Sequence, residues 1–182
     1  SVAPEIALPN GSTGVHGICM SPDGAFVYVT HLVGRYQMPT TQLERGWMNT
    51  NALSVIDVAG RKLVNTVLLD DVDLGAANPC GVVCSADGAQ LCVAHSGTHE
   101  ISVIDRTALH DRLTKAAANE QVTSVTHSAA DVVNDLSFLV GIRKRVSLTG
   151  NGPRGVAMLG DVIYAAEYFT DTVGFFNLKD ER

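Results

Sequence analysis

One sentence of sequence recurs along this chain. It reads Gly17-Ile-Cys-Met-Ser-Pro-Asp-Gly-Ala-Phe-Val-Tyr-Val-Thr-His31, then Gly81-Val-Val-Cys-Ser-Ala-Asp-Gly-Ala-Gln-Leu-Cys-Val-Ala-His95, then a worn copy, Gly155-Val-Ala-Met-Leu-Gly-Asp-Val-Ile-Tyr-Ala-Ala-Glu167. A repeat at this spacing constrains the fold more than any single residue does, because each unit must bury its apolar face against its neighbours. Each copy reads as a β-hairpin: two runs of β-branched and apolar residues flank a Ser-x-Asp-Gly turn, in which Asp caps the turn and Gly supplies a positive φ. A further pair of strands follows each hairpin, Leu53–Asp57 with Leu63–Leu69, and Ile101–Asp105 with Arg145–Leu148, whereas Thr172–Asn177 follows the last hairpin alone. Four antiparallel strands per unit make a β-propeller blade, so the chain reads as all-β, a partial propeller of about three blades.

The Ser-Pro-Asp-Gly turn, the Val-Tyr-Val-Thr run at 27–30 and the Leu/Ile-Ser-Val-Ile-Asp strand resemble the YVTN-type repeats of bacterial and archaeal surface-layer and periplasmic propellers, a WD40-like class. The resemblance covers nearly the whole chain. It implies an extracytoplasmic protein at the cell surface or in the periplasm. Propellers of this type serve as binding scaffolds, as surface proteins and as subunits of redox enzymes such as amine dehydrogenases, so fold does not decide function.

The expected organisation is a lone outer strand within 1–8, blade one over 14–69 with an insertion at 32–51, blade two over 78–148 with a helical insertion at 107–142, and an incomplete blade three over 153–182. Three blades leave two apolar flanks open to water. Self-association, or further blades from a longer protein, is expected to cover them. In the second insertion, Leu109–Leu113 and Ala116–Ala118 carry helical patterning, and so does Ser128–Leu139, which places Asp131 and Asp135 one turn apart on a polar face.

Composition narrows the partners. With 46 % apolar and 18 % charged residues the chain is an ordinary globular one, and its net charge of −6 without a basic stripe argues against nucleic acid. No apolar run is long enough for a membrane span. The one basic cluster, Arg143-Lys-Arg145, reads as a solvated strand edge that discourages sheet pairing. Of the cysteines at 19, 80, 84 and 92, three replace Val, Met or Tyr of other copies and read as small buried hydrophobes, and a disulfide between Cys84 and Cys92 is disfavoured by pleat spacing.

The repeat also says which side chains converge. His16, Cys80 and Arg154 each precede the Gly that opens an inner strand, so they form one ring at the channel mouth. His31, His95 and Glu167 close the second strand of each copy and form another. Convergent polar groups at a concave opening suit a binding site. Imidazoles at 16, 31 and 95 are weak metal-ligand candidates, the plainer role being a repeated structural hydrogen bond; no cofactor is expected. The first insertion adds Arg35, Tyr36 and Trp47, planar side chains favoured at recognition surfaces. No nucleophile elbow, phosphate loop, zinc-protease helix or haem-attachment motif is present. Two functions follow: a non-catalytic extracytoplasmic scaffold that binds a protein or glycan through its channel-mouth face, or a propeller subunit of a periplasmic redox enzyme linked to a metal or haem.

Overall fold

The computed structural model describes residues 5–34 and 48–180. Three antiparallel sheets follow one another in chain order. Blade one holds β2 (Ile18–Met20), β3 (Phe26–Gly34), β4 (Asn49–Asp57) and β5 (Lys62–Leu68), with β1 (Ser12–Thr13) added beside the far end of β3. Blade two runs β6 (Pro79–Cys84), β7 (Gln90–His95), β8 (Glu100–Asp105), β9 (Arg143–Ser147). Blade three runs β10 (Pro153–Leu159), β11 (Val162–Glu167), β12 (Thr172–Asn177). This is an all-β propeller arc with a helical insertion in its second blade.

The repeated turn works as its residues dictate. In blade one Asp23 Oδ1 accepts from Ala25 N at 3.0 Å, Ser21 Oγ accepts from Phe26 N at 2.9 Å, and Gly24 adopts φ +69°. In blade two Asp87, Ser85 and Gly88 repeat the arrangement, with φ +74° at the glycine. The left-handed conformation at this position is why both copies end the turn in Gly.

The core lies between blades rather than within them. Tyr28, Leu53, Val55, Val67 and Leu69 of blade one meet Val82, Leu91, Val93 and Ile104 of blade two. Cys92, Ala94, Ile101 and Val103 on the other side of blade two meet Val156, Met158, Ile163 and Phe176 of blade three. Strand alternation puts each set on one face, so each blade has a side for its predecessor and a side for its successor.

Several expectations need correction. Glu5–Leu8 forms no strand: an outer strand needs a third strand beside it, and among the described residues β12, whose far edge is open, stands at the other end of the arc. The first insertion is shorter than 32–51, because Leu32↔Asn51, Val33↔Thr50 and Gly34↔Asn49 continue the β3–β4 ladder. In the second insertion α1 (Arg106–Ala117) starts directly after β8, capped by Asp105, whose carboxylate accepts from Ala108 N at 2.9 Å. It buries Leu109, Leu113 and Ala116 in the core between blades one and two. Ser128–Leu139, however, is a chain of turns around one 3-10 turn at Val132–Asn134. Asp135 explains it. Buried rather than on a polar face, its carboxylate accepts from Thr126 Oγ1 at 2.6 Å, Ser137 Oγ at 2.5 Å, Ser137 N at 2.8 Å and also Thr123 Oγ1. A side chain that gathers local donors competes with helix.

The basic cluster is no solvated edge either. Arg143 is 3 % exposed at its side chain and Arg145 11 %. Arg143 binds Asp71 and the Leu69 carbonyl, while Arg145 binds Glu100, Asp71 at 3.0 Å, and the carbonyls of Leu74 at 2.8 Å and Gly75 at 2.7 Å. Together they tie β9 to the loop that carries the chain from blade one to blade two. The cysteines are unpaired thiols, with Cys92 buried and Cys19 and Cys84 packed against the core.

Candidate functional site

Loops following second and fourth strands share one face with the starts of the inner strands. On it, the expected ring of His31, His95 and Glu167 is buried inside the sheets, all three at under 5 % exposure. His31 Nδ1 lies 3.1 Å from the Leu32 carbonyl, which only accepts, so Nδ1 carries the proton. Nε2 then accepts from Ser54 Oγ at 2.8 Å, and Ser54 Oγ in turn accepts from Thr66 Oγ1 at 2.6 Å. His95 Nε2 lies 2.9 Å from Ser102 Oγ. Burial lowers both imidazoles' pKa values, that of His95 to about 3, so they are neutral at neutral pH.

Blade three makes the substitution legible. Glu167 stands at the histidine position and Gly174 at that of Ser54 and Ser102. A Cβ at Gly174 would fall 2.6 Å from Glu167 Oε1, so the carboxylate fills the space the serine takes in the other blades. It accepts from Gly150 N at 3.0 Å and Thr172 Oγ1 at 2.6 Å. The Ser–His pairs have nucleophile–base separations, yet every atom of Ser54, Ser102, His31 and His95 is sealed from solvent, and no substrate reaches them. The partner of each histidine is thus a serine of its own blade, not the backbone of the next. Sequence reasoning missed those serines, although His and Ser recur together in two copies and change together in the third.

Of His16, Cys80 and Arg154, the last two share a backbone role. The carbonyl of Cys80 approaches Gly17 and that of Arg154 approaches Gly81, so closely that a Cβ on either glycine would stand 2.0 Å or 2.6 Å from the oxygen. Their side chains differ. His16 is exposed, Cys80 is half-buried with Sγ 3.6 Å from Ser96 Oγ, and exposed Arg154 lays its guanidinium 3.7 Å above the Tyr168 ring and 5.5 Å from that of Phe169. Tyr168 and Phe169 meet edge to face at 5.2 Å, and both remain about 60 % exposed. These two aromatics had not been singled out from sequence. No three His, Cys, Asp or Glu among the described residues are placed to hold a metal, so the structure does not bring His16, His31 and His95 together as ligands. Arg35, Tyr36 and Trp47 lie outside the described residues.

Between blades one and two the same face opens into a cavity of about 450 Å³ edged by Asn49, Asn51, Asp70, Asn78 and Thr98. Burial raises the pKa of Asp70, against three N–H donors: Ala76 N and Asn51 N, each at 2.7 Å, and Asn51 Nδ2 at 2.8 Å. Asn51 Oδ1 accepts from Asn78 N at 3.0 Å. The residues are committed to holding the loop, and the chemistry they offer is hydrogen bonding.

No family model matches the chain. Hydrazine synthase subunit beta of Kuenenia stuttgartiensis is 27 % identical over 164 residues, which span 89 % of this chain and 40 % of that protein. The solved Kuenenia stuttgartiensis hydrazine synthase superposes with TM-score 0.79 at 25 % identity, over 94 % of this chain and 47 % of that one. The chain therefore spans less than half the length of these relatives. A functionally unknown protein from Desulfotomaculum acetoxidans and a chain of the nidogen/laminin complex, each at TM-score 0.54 with 12 % and 18 % identity, share the fold alone. No helix of the described residues is long and apolar enough to cross a membrane.

Proposed function

We propose that this chain is the non-catalytic propeller part of an extracytoplasmic multi-subunit assembly of the hydrazine synthase type, and that it docks a protein partner on its channel-mouth face. One observation carries the binding role: at that face the His31–Ser54 and His95–Ser102 pairs are sealed within the blades, while Arg154, Tyr168 and Phe169 stand exposed. Arg and large aromatics dominate the binding energy of protein interfaces. The kind of assembly is supported by the similarity to a beta subunit over 164 residues. The export assignment rests on the repeat resemblance, and fractionation of the producing cell checks it. Mixing the full-length protein with the other subunits of a hydrazine synthase should give one co-eluting complex in size-exclusion chromatography. Arg154→Glu combined with Tyr168→Ala should weaken it at least tenfold. Separate elution of the unsubstituted protein overturns the reading.

A further inference from the structure

Two of the cysteines face each other across the boundary between blades one and two. Cys19 of β2 sits at the repeat position of Val83 in β6, whose side chain turns toward the following blade. Cys84 of β6 sits at the position of Met158 in β10, whose side chain turns toward the preceding one. Between blades two and three this contact is ordinary apolar packing, Val83 with Val156 and Met158. Between blades one and two both positions hold thiols, packed against the same core cluster. Packing alone needs no sulfur there, since the next boundary closes without it.

The backbone brings the two strands together at this point. The Cys80 carbonyl comes so close to Gly17 that a Cβ there would stand 2.0 Å from it, and Thr30 Oγ1 bridges β2 and β6. Two residues further along, the Cys84 backbone N–H donates to the Cys19 sulfur, which therefore lies within one side chain's length of Cys84 Cβ. A disulfide forms without a large backbone movement only where two cysteines are already this near. Both thiols are half-buried, unlike the sealed Cys92.

The two are not equivalent. Burial raises the pKa of Cys19 to about 12, with the neighbouring Cys84 adding to the rise. Burial raises that of Cys84 too, but the Arg106 guanidinium opposes it. Arg106 is fixed in place, its Nε–H on Tyr28 Oη at 2.5 Å and its Nη1 on the Gly88 carbonyl at 3.0 Å. The thiolate is the attacking species, so Cys84 reacts first.

We propose that Cys19 and Cys84 are a dithiol that closes, on meeting a disulfide oxidant, into a disulfide joining the inner strands of blades one and two. The Cys84 thiolate attacks one sulfur of the oxidant, forming a mixed disulfide and expelling a thiolate. Cys19 then gives up its proton and attacks the Cys84 sulfur, which releases the other half of the oxidant as a thiolate. The protein loses two protons and two electrons, and the oxidant takes them up as two thiols. The bond ties residues far apart in sequence, so it restricts the unfolded chain more than the folded one. Disulfides persist in extracytoplasmic compartments, the setting proposed above.

Peptide mass spectrometry of the purified full-length protein, treated with oxidised glutathione and then alkylated in denaturant, tests this. The expected product is a Cys19–Cys84 cross-linked peptide, with no cross-link to Cys80 or Cys92. Cys19→Ser should instead keep glutathione on Cys84, because the thiol that displaces it is gone. Cys84→Ser should leave Cys19 without cross-link. The urea midpoint of the oxidised protein should exceed that of the reduced protein, and no such rise should follow oxidation of either variant. Each variant is compared with its own reduced form, so a general loss of stability does not imitate the result. Free Cys19 and Cys84 in folded, oxidant-treated protein, or a cross-link that joins other cysteines in their place, overturns the proposal. The readout needs neither export nor another subunit, so it stands or falls separately from the fractionation and co-elution results.

Discussion

Thr30 of blade one donates its hydroxyl to the carbonyl of Cys80 in blade two at 2.7 Å, and its Oγ1 accepts from Gly17 N at 2.8 Å. One buried side chain thereby joins β3, its own inner strand and the inner strand of the next blade. Thr30→Val keeps shape and volume but leaves a carbonyl and an N–H without partners. The cost of such orphaned groups is about 1–3 kcal/mol. Urea unfolding should show a lower midpoint with an unchanged slope.

The inner strands approach so closely that a methyl has no room at two of the three repeat glycines. Gly17→Ala places carbon 2.0 Å from the Cys80 oxygen and Gly81→Ala places it 2.6 Å from that of Arg154, and the obstacle in each case is backbone, which cannot swing aside. Both substitutions should destabilise by roughly 1–3 kcal/mol or more. Thermal unfolding of the two variants beside the parent checks it, with Gly17→Ala the more severe.

How much of this was legible follows from what each residue answers to. The blades could be read because turn chemistry and strand alternation are local, and the repeat supplied three copies of each. The helix at Arg106–Ala117 was legible for the same reason, through its buried Leu109 and Leu113. Ser128–Leu139 was not, because the donors that pull Asp135 away from a helix include Thr123 and Thr126, outside the patterned window. Arg143 and Arg145 looked solvated because their acceptors sit more than 40 residues away in sequence, on Asp71, Glu100 and the loop before blade two. The equivalence of His31, His95 and Glu167 was legible from the repeat. Their burial was not, since it depends on Ser54 and Ser102 across the strand ladder.

Arg145 holds Glu100, which is 6 % exposed, together with Asp71 and two loop carbonyls. Arg145→Met would strand the Glu100 carboxylate without its cation, and breaking a buried pair from one side costs about 3–5 kcal/mol. The paired change Arg145→Met with Glu100→Gln should recover a large part of that loss. Chemical denaturation of the single and double variants measures the difference, and equal stability of the two would contradict a buried ion pair.

Acid should weaken the fold through its buried histidines. Burial pushes the pKa of His95 from 6.5 down to about 3 and that of His110 down to about 4, with the Arg106 charge adding to the shift at His110, and it lowers that of His31 as well. His110 Nε2 has no need of a proton: it lies 2.7 Å from Tyr28 Oη, which takes the Arg106 Nε–H at 2.5 Å and so gives its own proton to the imidazole. His95 and His110 are therefore neutral when folded and charged when unfolded at pH 5, and His31 shifts in the same direction. Because the unfolded chain binds more protons there, stability is complete above about pH 6.5 and falls as pH drops below it, by up to ~1.4 kcal/mol per pH unit for each histidine. Urea midpoints at pH 7.5 and pH 5 should reveal the loss. His95→Gln, which keeps a polar partner for Ser102 but cannot be charged, should lower stability at pH 7.5 yet flatten the decline toward pH 5. An undiminished slope in that variant would show that His95 is not one of the groups driving the acid transition.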